Sequence, residues 1–334
     1  MCSSDLVVAA APAAVKGEQI TLHTDLMDVT VDTLGGNVIK AVLLKHLDQE
    51  DTKANVVIFD HSAKHTYLAQ SGLVGAAGQN LPNHKTVFTA QPGERSLADG
   101  QQQLVFTLAS APVDGVQLVK TFTFTRGSYA VGVKQEVVNT SAQAVRPSLY
   151  VQIERDGTPP AAAPGPAFVG GPQSYTGMAI YSAKGKYQKI DFKHLDENKA
   201  EFEKSDDNGW VAMVQHHFVS AWLFNTQQPR EFFARKIDTN LYTTGMLIPL
   251  GDIAAGQRKA VETTLNPKGE EPVVLNYQLR EDGGVWKIID VLLDGAVSQL
   301  AIRRNEFAGV LGKGGVPALI ESMKANAASL AKAG

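Results

Sequence analysis

One cysteine, Cys2, stands in a chain of 334 residues. No disulfide can close within the chain, and no thiolate cluster can hold a metal. Charge of one sign is not in excess either: the net charge is −3 and the isoelectric point near 6.2. Without a basic surplus, neither nucleic acid nor an anionic membrane surface is an expected partner. Nowhere do about eighteen apolar residues run together, so no segment of the chain as given reads as a transmembrane helix. Amphipathic stretches of crossover length are also missing before residue 265, which argues against alternating βαβ units.

What is present is ordinary globular material, 44% hydrophobic and 19% charged, long enough for roughly two domains. Residues 1–17 hold an apolar run from Leu6 to Val15 that looks like the middle of a secretory signal. Asp5 stands where the basic region of such a signal belongs. The segment reads as an Ala/Pro linker, with a shortened export segment as the alternative.

From Glu18 onward the period is two. Leu26, Asp28, Thr30 and Asp32 alternate with Met27, Val29, Val31 and Thr33, and Gly35-Gly36 turns the chain before Val38 to Leu44. The texture returns in NVVIFD (Asn55 to Asp60), QLVFTLA (Gln103 to Ala109) and the long run from Val116 to Asn139, which Arg126-Gly127-Ser128 breaks into two strands. Many short strands parted by Gly, Asn and Ser turns predict a mainly β fold, a large antiparallel sandwich. The stretch GTPPAAAPGPAFVGG, Gly157 to Gly171, cannot continue a sheet because its prolines lack the donors a ladder needs. It is expected as a mobile surface loop.

Beyond Asn266 the pattern changes. Val273, Leu275, Tyr277 and Leu279 alternate, Glu281 to Gly284 turns the chain, and VWKIIDVLLDG returns as the partner strand. Val297, Leu300, Ala301, Phe307 and Leu311 then fall at helical spacing, Gly314-Gly315 stops that helix, and Pro317 opens another.

Site-like motifs are few. His216-His217 are adjacent on a strand pattern and point to opposite faces, so they cannot share an ion. HSAKH places His61 and His65 four apart, but the Glu of a zinc-protease helix is missing and strands flank it, so a loop is expected. Gly312 to Gly315 lacks Walker spacing and reads as a helix stop, with Lys313 a weak lipid-headgroup candidate. Asp206-Asp207 reads as loop carboxylates in solvent. No cofactor, metal or catalytic residue is expected.

Five blocks carry a resemblance: ITLHTDLMDVTVDTLGG (Ile20 to Gly36), YLAQSGLVG (Tyr67 to Gly75), KTFTFTRGSYAVGV (Lys120 to Val133), YTGMAIYSAKGKYQKIDF (Tyr175 to Phe192) and GWVAMVQHHFVSAWLF (Gly209 to Phe224). In order and spacing, residues 18–265 resemble the large periplasmic domain of the bacterial membrane protein insertase YidC. The resemblance implies a two-sheet antiparallel β-supersandwich, similar to the galactose mutarotase fold, in the periplasm and normally tethered to the inner membrane. It implies a docking and scaffolding unit, with accessory subunits of the Sec translocon and the membrane insertase core as partners. Epimerase chemistry on such a fold needs a histidine and a carboxylate converging on one pocket. The matching blocks offer no such pair, so an enzyme is not expected.

The last segment, 266–334, resembles the C-terminal part of the MlaC / toluene-tolerance family of periplasmic phospholipid carriers, on GGVWKIIDVLLDG, RRNEF and LGKGGVPALIE. That family's helical N-terminal half is missing. By this resemblance phospholipid is the alternative ligand, and Tyr277, Trp286, Ile288, Val291, Leu293, Val297, Leu300 and Phe307 are candidates to line an acyl-chain pocket, with ordinary core packing the competing reading. Two modules thus meet near Thr264, joined either as a natural fusion of envelope proteins or artificially.

Overall fold

The computed structural model describes residues 16–48, 51, 53–158, 175–215, 218–224, 226–266, 275–282, 285–293, 297–298, 308, 311–312, 315–318, 320–321 and 324. The expected linker up to Val15, nearly all of the Pro/Gly stretch and His216-His217 lie outside them. The chain divides into two compact units, Met1–Gly269 and Glu270–Gly334.

In the first unit the strands begin with β1 (Gln19–His23), β2 (Met27–Asp32), β3 (Asn37–Leu47), β4 (Asn55–His61), β5 (Thr66–Val74) and β6 (Phe88–Ala90). Then follow β7 (Gln103–Ser110), β8 (Val116–Thr125), β9 (Val131–Asn139), β10 (Ser148–Asp156), β11 (Thr176–Ser182) and β12 (Lys186–Ile190). A short helix α1 (Phe192–Asp196) precedes β13 (Ser205–Asp206), β14 (Trp210–Gln215), β15 (Phe218–Leu223), β16 (Arg230–Asp238), β17 (Leu241–Pro249) and β18 (Arg258–Asn266). They form two nine-stranded sheets, β1-β2-β3-β4-β5-β10-β17-β16-β13 and β12-β11-β14-β15-β18-β9-β8-β7-β6, and every neighbouring pair is antiparallel. The fold is the two-sheet antiparallel sandwich that the alternation predicts. Gly35 and Gly36 turn the chain between β2 and β3 at φ +82° and +59°, a region most side chains avoid.

Alternation explains the layers. On β8, Val116, Leu118, Phe122 and Phe124 are buried while Gln117, Val119, Thr121 and Thr123 are half-exposed. The buried set meets Leu149, Val151 and Ile153 of β10 in one hydrophobic core. Full burial of each such side chain stabilises by roughly 1.5–3 kcal/mol. Polar bonds also cross this core: the Tyr67 hydroxyl pairs with Ser220 Oγ, and Trp222 Nε1 donates to the Gln152 carbonyl at 3.0 Å. β10 is central and buried along most of its length, so Tyr150 and Gln152, which point away from the core, are also covered. At the expected seam, β18 is an internal strand between β15 and β9, and its Leu265 is in the core.

Two expectations are corrected. Asp206 is buried, 9% exposed, and its carboxylate accepts the backbone N–H groups of Lys184, Asp207 and Asn208. Those bonds, led by the one from Lys184, hold its carboxyl below the usual carboxylate range. Such a structural role is invisible in a DDNG string, because the Lys184 donor comes from a turn 22 residues away. Asp207 is exposed.

The second correction lies in the second unit. There β19 (Leu275–Asp282) and β20 (Val285–Leu293) pair antiparallel with a register shift at Gln278/Leu279. Val297, expected in a helix, lies in β21 (Val297–Ser298), paired with Leu293 at the free edge of β20. Unpaired edge groups and the β-branched side chain of Val297 outweigh the helical spacing there. Leu311 and Ile320 are helical, and Gly315 has φ +66°.

Candidate functional site

The end of β5 and the segment that follows it build a cleft. Val74 closes the strand, and Ala76 to Gln79 fold into a turn in which Gln79 N–H donates to the Ala76 carbonyl at 3.0 Å. The chain then doubles back, because Leu73 N–H reaches the Pro82 carbonyl at 2.9 Å. Asn83 locks the return: its N–H donates to Thr86 Oγ1 at 2.9 Å, and its own Oδ1 accepts Lys85 N–H at 2.9 Å. The open cleft so formed is about 510 Å³ and is lined by Leu73, Val74, Leu81, Val113 and the polar but uncharged Gln79, Asn80, Asn83 and Thr86, among others. No lining residue is titratable. Val74 and, beside Thr86, Val87 are 44% and 46% exposed.

The same segment is tied down on its other side by His84. Tyr150 of β10 accepts the His84 backbone N–H at 3.1 Å, and its hydroxyl lies 2.5 Å from His84 Nδ1. The hydroxyl has one proton and two lone pairs, so it serves the backbone N–H and Nδ1 together, the roles in the second contact following the imidazole tautomer. Burial, then Lys85 and Lys120, lower the His84 pKa to about 4, and burial raises Tyr150 to about 12. Both are therefore neutral at pH 7. Gly72, opposite Tyr150 in register, makes this possible: a Cβ there would lie 2.5 Å from the Tyr150 hydroxyl.

Beneath the segment lies Lys120 of β8, entirely buried in an inward slot of the alternation. Its Nζ crosses the core to donate to the Gly35 carbonyl at 2.6 Å and the Ser71 carbonyl at 2.8 Å, and it lies 5.0 Å from the centre of the Phe88 ring. Gly35 N–H in turn donates to the Thr86 carbonyl at 2.7 Å, and Phe88 N–H to that of Thr33 at 2.8 Å. Lys120 thus braces the turn and the strand between which the cleft segment is held. Desolvation lowers its pKa to about 7.

This arrangement can hold a neutral group with both polar and apolar parts; it is poorly made for proton transfer. Glu154, raised by burial against the pull of Lys85, is four residues along β10 from Tyr150, about 13 Å at strand rise. His61 and His65 flank the bend between β4 and β5; His65 Nδ1 is 3.8 Å from Asp156. Among the described residues no group of three His, Cys, Asp or Glu could hold a metal ion, and no helix is long and apolar enough to cross a membrane.

Of the residues proposed to line a lipid pocket, Tyr277 is opposite Val291, Ile288 opposite Leu279, Trp286 opposite Glu281, and Leu293 opposite both Leu275 and Val297, all by backbone register. Leu300 and Phe307 lie outside the described residues, as does Lys313. Sequence reasoning missed Lys120, His84 and Tyr150. Lys120 had one signal, a lysine where the period demands an apolar residue. The His84–Tyr150 pair, 66 residues apart, had none.

Comparison with known proteins gives two family matches: the YidC periplasmic domain over residues 19–266, and MlaC protein over residues 248–325. The membrane protein insertase YidC of Herminiimonas arsenicoxydans is 43% identical over 282 residues, covering 83% of this chain and 48% of that protein. That of Janthinobacterium sp. (strain Marseille) is 40% identical over 283 residues, covering 83% and 48%. The chain spans about half the length of these curated relatives. Among solved structures, a galactose mutarotase related enzyme from Lactobacillus acidophilus is 8% identical, with a TM-score of 0.47 over 76% of this chain and 99% of that one.

Proposed function

The chain belongs to the YidC periplasmic domain family over residues 19–266, and from that premise we propose that it is a non-enzymatic docking and scaffold domain of the membrane protein insertion machinery, acting in the periplasm. Its partners on this reading are accessory subunits of the Sec translocon and the membrane insertase core. The observation that carries the reading is the uncharged 510 Å³ cleft, with exposed Val74 in its wall and exposed Val87 next in the chain to its Thr86, a surface suited to contact with an uncharged partner. The neutral, mutually engaged His84 and Tyr150 support a holding role over a catalytic one. We take residues 18–265 as the docking module and 266–334 as a partial carrier-like segment.

The test is photo-crosslinking and pull-down from solubilised bacterial envelope with the full chain, alongside Val74→Asp and Val87→Asp. Both positions are exposed, so the variants fold. Retrieval of Sec accessory subunits by the parent and its loss in both variants is expected; equal retrieval by all three refutes the assignment of the cleft.

The match of residues 248–325 to MlaC protein favours a second reading, phospholipid binding by the second unit. Incubation with bacterial lipid extract, repurification and mass spectrometry tests it. Phospholipid that stays with the full chain and is lost on deleting 266–334 supports it, and none retained by the full chain excludes it.

A further inference from the structure

Within the sandwich, Lys120 does not stand alone. Its register partner on β9 is Gln135, and the next strands contribute Leu108 and Val261 to the same row. Gln135 is 1% exposed and Lys120 fully buried. Neither Gln135 Nε2 nor Oε1 meets a hydrogen-bonding group of the protein. In its ammonium form Lys120 has given two of its three donors to the Gly35 and Ser71 carbonyls. Directly opposed residues of an antiparallel pair have Cβ atoms about 5 Å apart, so the Gln135 and Lys120 side chains enter the core from adjacent positions of one sheet. Leaving both Gln135 groups bare in the core would be costly, whereas one small molecule that both donates and accepts matches the pair.

We propose that Lys120 and Gln135 form a built internal hydration site for a single ordered water, which accepts from Lys120 Nζ and donates to Gln135 Oε1. The water completes the polar brace under the cleft segment and gives the buried amine a hydrogen-bonded neighbour on its own sheet.

Two measurements on the full chain test this. The first is a crystal structure at about 1.5 Å or better: a density peak about 2.7–3.2 Å from both Lys120 Nζ and a Gln135 amide atom is expected. A dry site, or Gln135 Oε1 bonded directly to Lys120, overturns the proposal. The second is Gln135→Leu, read by urea unfolding at pH 7. With water satisfying the glutamine, leucine leaves the folding equilibrium constant within about fivefold or lowers it. A rise beyond about fivefold, where the gain from removing a bare buried amide begins, overturns the proposal. Should the variant fail to fold, the crystallographic result on the parent decides.

Discussion

Replacing Lys120 with methionine should reshape the dependence of stability on pH. In the folded chain this amine has a pKa of about 7, against 10.5 for an ordinary lysine, because burial disfavours the ammonium. Between those values the unfolded chain binds a proton that the folded chain does not, so stability rises with pH across the window and is lost again as pH falls toward 7. Each pKa unit corresponds to about 1.4 kcal/mol, which puts an upper bound of about 5 kcal/mol on the whole effect. Methionine fills similar volume but donates nothing, so the Gly35 and Ser71 carbonyls lose their partner at about 1–3 kcal/mol each. That cost does not vary with pH and only offsets the curve. His84, the histidine coupled to Lys120, titrates near 4 and lies outside the window. Urea unfolding followed by tryptophan fluorescence at pH 6, 7.5 and 9 reads the difference. The parent should gain roughly 2 kcal/mol on the methionine variant between pH 7.5 and 9, and almost nothing below 6.5. Curves that stay parallel within about 0.5 kcal/mol would mean that Lys120 keeps an ordinary pKa when folded, and the electrostatic account of the brace would fail.

Tyr150→Phe strips the cleft segment of the acceptor for His84 N–H and of the partner of Nδ1; calorimetry should find a loss of about 1–3 kcal/mol. By proton NMR, His84 of the parent should stay neutral down to about pH 4, so its share of stability is present above 6.5 and lost as pH falls through 4. Gly36→Ala forces a Cβ onto φ +59° and to 3.0 Å from Lys120 Cδ, for a loss of about 1–2 kcal/mol in urea unfolding. Asp206→Asn replaces the acceptor of three backbone donors; its melting temperature should fall at pH 7, and the gap to the parent should narrow toward pH 3 as the carboxylate is protonated.

Much of the architecture could be read before any coordinates. Val116 to Asn139 alternates so regularly that β8, its turn and β9 follow from side-chain period alone, and the β19–β20 hairpin follows in the same way. Misreadings arose where a local pattern competed with a distant partner. Val297 sits at helical spacing yet pairs with Leu293, and Asp206 looks like a loop carboxylate yet caps the Lys184 turn. The cleft was hidden for a related reason: LVGAAGQNLPNHKT shows no periodicity, and its shape depends on Leu73 meeting Pro82 and on Tyr150 rising to His84.

By itself the order of residues determined which segments become strands and which face of each turns inward, since polarity repeating every second residue is a property of the extended backbone. Lys120 and Gln135 stand in slots where that period calls for apolar side chains, a signal that went unread. Only the tertiary structure decided what those groups meet. Gly35, Ser71 and Tyr150 reach their partners across sheets and over tens of residues, and such encounters are set by how two sheets stack and close.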